Sequence, residues 1–409
     1  MAQPSHRIIV IGGGDAGFMA SISSKTHHPG AEVLLLEKST KWLSKVRISG
    51  GGRCNVTHAC PEPRKLARHY PRGEAFLRKV LTAWGQPQAV AWFAAHGVLL
   101  KTEADGRMFP VTDDSSTVID ALQSAATSLG VQARLNCRVQ RLGRIDDGWT
   151  VITDHEHLTA QRVIVATGGS PRDEGLAWLH TLGHELVPAV PSLFTFNLPE
   201  DPIRELMGVV APDVRLRIAG TKLESTGPLL ITHWGLSGPA VLRLSAFGAR
   251  DLHALGYHYT VQVDWLGEMN EHEARDRMHE ESAAHPKRQL INSDAFALPA
   301  RLWSFLLHRA GVPGEKPIGE LGRKSLDRLL DVLTNDHYTA SGKTTFKEEF
   351  VTAGGIALHQ VDPLTLESRE APGLHFAGEV LDIDGITGGF NFQAAWSTGW
   401  LAGKAATLI

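Results

Sequence analysis

The stretch Arg7–Lys38, RIIVIGGGDAGFMASISSKTHHPGAEVLLLEK, decides the fold. An apolar run from Ile8 to Ile11 meets a glycine cluster, followed by a small-residue helical stretch from Ala16 to Ser24, a loop, and a second apolar run from Val33 to Leu36. Strand, helix and strand in that order make a βαβ unit, with parallel strands and a right-handed crossover. Gly12-Gly13-Gly14-Asp15-Ala16-Gly17 is a G-x-G-x-x-G at the strand-to-helix junction. There Gly12 permits the tight turn, Gly14 lets main chain approach a pyrophosphate, and Gly17 allows close helix packing. The helix N-terminus, where Asp15 and Ala16 lie, supplies unpaired N–H groups for the anion. Glu37 follows Gly17 by twenty residues, where a carboxylate accepts hydrogen bonds from ribose hydroxyls, and Lys38 stands beside it in the same nucleotide site. FAD and NAD share this fingerprint, so it does not choose between them.

Two later apolar runs, Arg162 to Ala166 and Leu374 to Ala377, end in Thr167-Gly168-Gly169 and Gly378-Glu379. Three strands that each run into glycine turns suggest one parallel sheet whose carboxyl edge binds the ligand. The long separation between the second and third requires an insert. It begins near Pro188-Ala189-Val190-Pro191, giving a dinucleotide domain of residues 1–190 and 353–409 around an inserted domain of residues 191–352. Within it, Val214-Arg215-Leu216-Arg217-Ile218 alternates as an antiparallel strand does. Glu271 to Asn335 is charged and helical in period, with Leu302, Phe305, Leu306, Leu326, Leu329, Leu330 and Leu333 as buried stripes. The expected fold is α/β, a two-part Rossmann-like FAD-binding domain interrupted by a β-rich domain with a helical cap.

The choice of FAD over NAD rests on segments outside the fingerprint. No second G-x-G-x-x-G stands in a strand–helix context, which argues against separate Rossmann domains for FAD and NAD(P)H. Instead, Ser49-Gly50-Gly51-Gly52-Arg53-Cys54-Asn55-Val56-Thr57 follows soon after Glu37. Three successive glycines cost backbone entropy and suit close approach of main chain to a flat ring or phosphate, with Lys45 or Arg53 offering charge. Near the other end, Thr387-Gly388-Gly389-Phe390-Asn391 opens a last helix, whose N-terminus can face the N1–C2=O edge of an isoalloxazine, where charge builds up on reduction.

The 409 residues and 43% hydrophobic content allow two or three domains and favour an enzyme over a small binding module. Lys plus Arg total 41 against 44 Asp plus Glu, so no global field attracts nucleic acid or anionic lipid, and neither is expected as a partner. Cys54, Cys60 and Cys137 make neither a disulfide framework nor a metal-ligand set, which fits a reducing, cytoplasmic setting without a metal. No apolar run approaches the length of a membrane span. Asp154-His155-Glu156-His157 reads as a solvated hairpin turn rather than a metal cluster, and Cys54 as a packed thiol.

Lys45–Thr57 (KVRISGGGRCNVT), Gly106–Pro110, Ala166–Gly169, Thr232–Pro239, Thr365–Ser368 and Gly378–Gln393 together resemble, in order and from end to end, the motifs of the aminoacetone-oxidase-like (BaiN/YhiN-type) flavoproteins. The resemblance implies non-covalent FAD on a two-part domain with an inserted β-rich domain. Motif by motif it implies FAD contacts at Gly12, Gly14, Ala16, Gly17, Glu37, Lys45, Gly51, Gly52, Arg53, Cys54, Asn55, Thr167, Gly168, Gly378, Glu379, Gly389, Phe390 and Asn391, with Val139 where adenine is met. The chain departs from the family pattern at Ser170–Glu174, in place of a more glycine-rich stretch, and at His58, where asparagine is common.

Hydride transfer at flavin N5 asks the protein mainly to orient substrate and tune the ring. His233, read as lying before a helix that Ser237 caps and Pro239 begins, is the candidate acid or base. Arg53, Asn55 and Arg107 are candidates for binding a carboxylate or carbonyl of a small organic substrate. The expected activity is a two-electron exchange between that substrate and FAD, either oxidation of an amine or amino-ketone or reduction of an enone-type double bond with NAD(P)H as transient reductant. An RNA-modifying flavoprotein and a non-catalytic redox sensor are the alternatives of another class.

Overall fold

A computed structural model describes residues 6–170, 175–344 and 351–406, so residues 171–174 of the Ser170–Glu174 departure lie outside the described residues. Two compact units result, one running to Ser192 and resuming at Val351, the other spanning Leu193 to Thr344.

The first unit is Rossmann-like. β1 (Arg7–Ile11), α1 (Asp15–His27) and β2 (Glu32–Leu36) form the opening βαβ unit. β1 sits in the middle of a five-stranded parallel sheet, between β2 and Arg162–Val165, with Leu374–Phe376 and Gln132–Arg134 at the edges. Ile8, Ile9 and Val10 have no solvent exposure, as a central parallel strand covered on both faces requires. Residues 16–24 of α1 are all buried, because the C-terminal helix Phe390–Ala405 lies directly on it. A Cβ at Gly399 would stand 2.6 Å from the Ala16 carbonyl oxygen, and one at Gly403 would stand 2.2 Å from that of Ala20. Ser23 Oγ donates to the Trp400 carbonyl at 2.6 Å across the same seam. The small residues of both helices are therefore a packing requirement.

Smaller antiparallel pieces complete this unit. Val139–Ile145, Gly148–Thr153 and His157–Ala160 form one three-stranded sheet, with the Asp154–Glu156 turn joining the last two strands. Thr57–His58, Arg107–Pro110 and Leu100–Thr102 form another. Leu186–Ser192 pairs with Val351–Ile356, so Pro191 and Ser192 meet Thr352 and Val351 across a ladder of the first unit, although the sequence boundaries placed them in the insert.

The second unit carries a seven-stranded antiparallel sheet. Val210–Ile218 lies near its centre, between Glu224–Thr232 and His258–Asp264. Helix Glu271–Ala284 contributes Ala274 and Met278, Ala300–Arg309 contributes Leu302 and Leu306, and Arg323–Asn335 contributes Leu326, Leu329, Leu330 and Leu333 to one buried core. Phe305 is only half-buried, a correction to its place in the expected stripe: Leu302, Trp303, Leu306 and Leu307 fill the inward face, leaving Phe305 on its flank. Asp336 gathers this core, accepting from Arg309 Nε at 2.6 Å, Trp265 Nε1 at 3.1 Å and the Tyr338 hydroxyl. Ser237 is likewise corrected: it ends strand Gly235–Ser237, and Gly238 precedes a helix that Pro239 opens, so no side-chain oxygen caps it. Among the described residues, no helix is long and apolar enough to cross a membrane.

Candidate functional site

The glycine fingerprint divides its work as close packing demands. Gly12 has φ +115° and donates its N–H to the Leu36 carbonyl at 2.8 Å. Gly17 touches it, since a Cβ there would lie 1.8 Å from the Gly12 oxygen. A Cβ at Gly14 meets nothing within 4 Å, and the same holds at Gly168, beyond the end of strand Arg162–Val165 and next to exposed Thr167. Glu37 follows β2 and accepts from the Gly13 N–H at 2.7 Å and the Ser39 N–H at 2.8 Å, one on each carboxylate oxygen. Each oxygen keeps a lone pair for a further donor. The Cys137 N–H bonds the Glu37 carbonyl at 2.9 Å, which brings the strand that half-buried Val139 opens alongside this end of β2; Lys38 is exposed.

The second glycine loop is a run of left-handed backbone. Gly50, Gly51 and Gly52 have φ of 57°, 69° and 86°, and Cys54 joins them at 61°. Such a φ at a non-glycine residue persists only when its surroundings hold it. They do: the Cys54 N–H bonds the Ser49 carbonyl at 3.0 Å, and the side chain has no exposure. Burial pushes its thiol up to about 12, so Cys54 is a packed neutral group rather than a redox centre. Cβ atoms at Gly51 and Gly52 would enter open space. Asn55 fastens this loop to the C-terminal helix, its amide donating to the Thr57 carbonyl and accepting from the Gly389 N–H, both at 3.0 Å. Trp396 Nε1 donates to the Val56 carbonyl at 3.0 Å and Thr57 Oγ1 to Gln393 Oε1 at 2.6 Å, strengthening the same junction. Asn391 is engaged locally, bonding both the N–H and the carbonyl of Gly385 at 2.7 and 3.1 Å.

The charged candidates are partnered. Lys45 Nζ lies 2.6 Å from Glu379 Oε2, which raises the lysine's pKa. Asp15 is pushed up to about 6, by desolvation first and by the Glu379 carboxylate second. Arg53 and Arg107 come together on Glu103, at 2.6 and 3.2 Å; Arg53 also lies 4.0 Å over the Phe109 ring, and Arg107 pairs with Asp105 at 2.7 Å. Both cations, like the Asn55 amide, have partners within the protein. His233 is exposed in the turn between strands Glu224–Thr232 and Gly235–Ser237 of the second unit, which corrects its placement before a helix. Among the described residues, no group of three His, Cys, Asp or Glu side chains is placed to hold a metal.

Sequence reasoning missed three parts of this arrangement. Thr57 and Gln393 join loop to helix only through the fold. His58, His69 and Phe390 form a three-ring cluster, with centroids 4.7 and 4.4 Å from Phe390 and 6.1 Å between the imidazoles, and nothing in local sequence announces it. What remains bare is main chain, at Gly14, Gly51, Gly52 and Gly168, on the edge where β1 and Arg162–Val165 end. Bare backbone beside a helix N-terminus fits a flat, phosphate-bearing group such as FAD.

A family model described as the HI0933-like protein Rossmann domain matches residues 6–405. The chain is 31% identical to a 3-dehydro-bile acid delta(4,6)-reductase of Clostridium scindens, over 98% of this chain and 99% of that one. It is 29% identical to a ribosomal RNA dihydrouridine synthase of Escherichia coli, over 96% of each. Among solved structures, 3-ketosteroid-delta4-(5alpha)-dehydrogenase from Rhodococcus jostii aligns over 99% of this chain and 98% of that one, with a TM-score of 0.51 at 16% identity, a likeness of fold.

Proposed function

Because the chain belongs to the HI0933-like Rossmann-domain family of FAD-dependent oxidoreductases, we propose that it saturates a carbon–carbon double bond conjugated to a carbonyl. One observation carries this choice. Two relatives matching nearly the whole chain bear names that denote the same chemistry on different molecules, the Δ4,6 unsaturation of a 3-oxo bile acid and the 5,6 bond of uracil. The carbonyl polarises either bond, so its far carbon accepts a hydride and its near carbon a proton. FAD, when bound, supplies the hydride at N5.

The chain's own part is binding and electrostatics. The N-terminus of α1 and the bare backbone at Gly14 and Gly168 suit a pyrophosphate. Glu37 accepts from ribose hydroxyls, and Gly51–Gly52 offer a surface without side chains to the ring. The N-terminus of helix Phe390–Ala405, held by Asn55, stabilises negative charge near the ring edge. A small conjugated ketone is the substrate class, with NAD(P)H as the reductant. Uridine within RNA is the second reading, favoured by the 29% identity to the dihydrouridine synthase over 96% of both chains.

The test is anaerobic. FAD-loaded protein is reduced with NADPH or NADH, then mixed with a 3-oxo-Δ4,6 steroid or a uridine-containing rRNA fragment, and a separate oxidised sample is mixed with an amine. Return of the oxidised flavin band with the ketone, and a product two hydrogens heavier, supports the proposal. Return with the RNA alone moves the chain to the second reading. If neither reoxidises the flavin, while the amine reduces the oxidised protein, double-bond reduction is wrong.

A further inference from the structure

Phe390 opens the C-terminal helix with two imidazoles against its ring, His58 at 4.7 Å and 27° and His69 at 4.4 Å and 21°, themselves 6.1 Å apart. His58 Nδ1 lies 3.2 Å from the carbonyl oxygen of Gly388, in the turn just before that helix. A carbonyl oxygen only accepts, so Nδ1 carries the hydrogen and Nε2 is the ring atom left to take up a proton. A Cβ at Gly106 would fall 2.5 Å from Nε2, so only a residue without a side chain fits beside that nitrogen. The charged groups facing His58 are Asp105 and Arg107, which pair with each other at 2.7 Å and largely cancel; the His69 ring stands directly beside it, 6.1 Å between centroids, and the Cys60 thiol is two residues on. Desolvation then keeps His58 below the usual histidine range, neutral at rest.

We propose that His58 is a positioning residue that takes up a proton when the flavin is reduced and returns it on reoxidation. The inference rests on the reading that the Gly388–Gly389 turn faces the N1–C2=O edge. Two electrons from NAD(P)H and one proton at N5 leave one negative charge at that edge. A second proton, on His58 Nε2, balances it, so two electrons and two protons enter together. When hydride leaves for the double bond the charge disappears, and His58 releases the proton that completes the count for the saturated product. A new opposite charge within roughly 4–6 Å raises a base by about one to three pH units. Each unit is about a tenfold preference for reduced over oxidised flavin.

The experiment follows the histidines of FAD-loaded protein by NMR between about pH 5 and 9, oxidised and then reduced under argon. One imidazole is expected to titrate at least about one unit higher in the reduced protein, and its signal to vanish in His58→Gln, which keeps a donor for the Gly388 oxygen. The flavin potential of the wild type should then fall with pH as two protons per two electrons between the two values, and that of His58→Gln as one, with an unchanged reduced-flavin spectrum. If the variant does not fold, contacts between the imidazole ring protons and the α-protons of Gly106, which lies against the His58 ring, assign the signal in the wild type. A holoprotein in which no histidine responds to reduction, or in which the responding signal survives His58→Gln, overturns the proposal alone. A protein that takes up no FAD overturns the site reading with it, and the starting absorbance tells the two failures apart.

Discussion

Asp336 and Asp15 are both carboxyls that desolvation pushes up, in different units and with opposite surroundings. Asp336 receives donors from Arg309, Trp265 and Tyr338, beside six buried leucines. Asp15 accepts the N–H of Ala16 at 2.9 Å but is opposed by the Glu379 carboxylate, itself paired with Lys45. Near it the chain passes through four left-handed residues and leaves main chain bare. Around Asp336 the insert has settled its polar groups among themselves. The Rossmann unit tolerates unrelieved charge and backbone strain at one edge, while its sheet is as tightly closed as any core.

That contrast can be broken by mutation. The largest stability effect belongs to the insert: Leu330→Ala should cost about 3 kcal/mol in urea unfolding with FAD stoichiometry retained. Next is Asn55→Ala, which orphans the Gly389 N–H and the Thr57 carbonyl; about 2 kcal/mol is expected, with FAD affinity down about tenfold by fluorescence titration. An unchanged affinity would detach the glycine loop from the cofactor. Gly51→Ala should cost only about 1 kcal/mol for its left-handed backbone, yet weaken FAD by more than that stability change implies. A large stability loss without weaker FAD would make the loop mere packing.

Asp15 gives the smallest effect. Its folded value of about 6 lies above the ordinary 3.8, so the fold favours the neutral acid. Stability from that preference is full below about pH 4, declines as pH rises and is gone above about 6, a drop of about 1 kcal/mol once solvent screening is discounted. Thermal melts of Asp15→Asn should lack this decline, and a slope that persists in the variant would place its cause elsewhere.

The opening βαβ unit was legible because apolar runs bracket a glycine turn, although α1 runs on to His27 through polar residues that still satisfy helical geometry. Edge strand Gln132–Arg134 was illegible: three exposed residues, two of them polar, form a strand only because Leu34 to Leu36 offer a ladder to pair with. In the candidate site, the close contact between Gly12 and Gly17 is encoded within six residues and could be read. The bond from Asn55 to Gly389 and the capture of Arg53 by Glu103 join segments far apart in the chain, and no local spacing carries them. The same holds for the imidazoles around Phe390. A polar side chain read from sequence looks available, and only the fold says what it is already holding.

The two-part construction of the Rossmann unit also sets an order of assembly. Strand Leu374–Phe376 and the helix that covers α1 are the last parts of the unit to be synthesised, whereas Leu193 to Thr344 is one unbroken stretch. On the ribosome, the insert can therefore mature while β1 and α1 wait with their small-residue seam uncovered. That edge of the sheet comes into being only once the later pieces have been made, so β1 and α1 are left uncovered while the whole insert is synthesised.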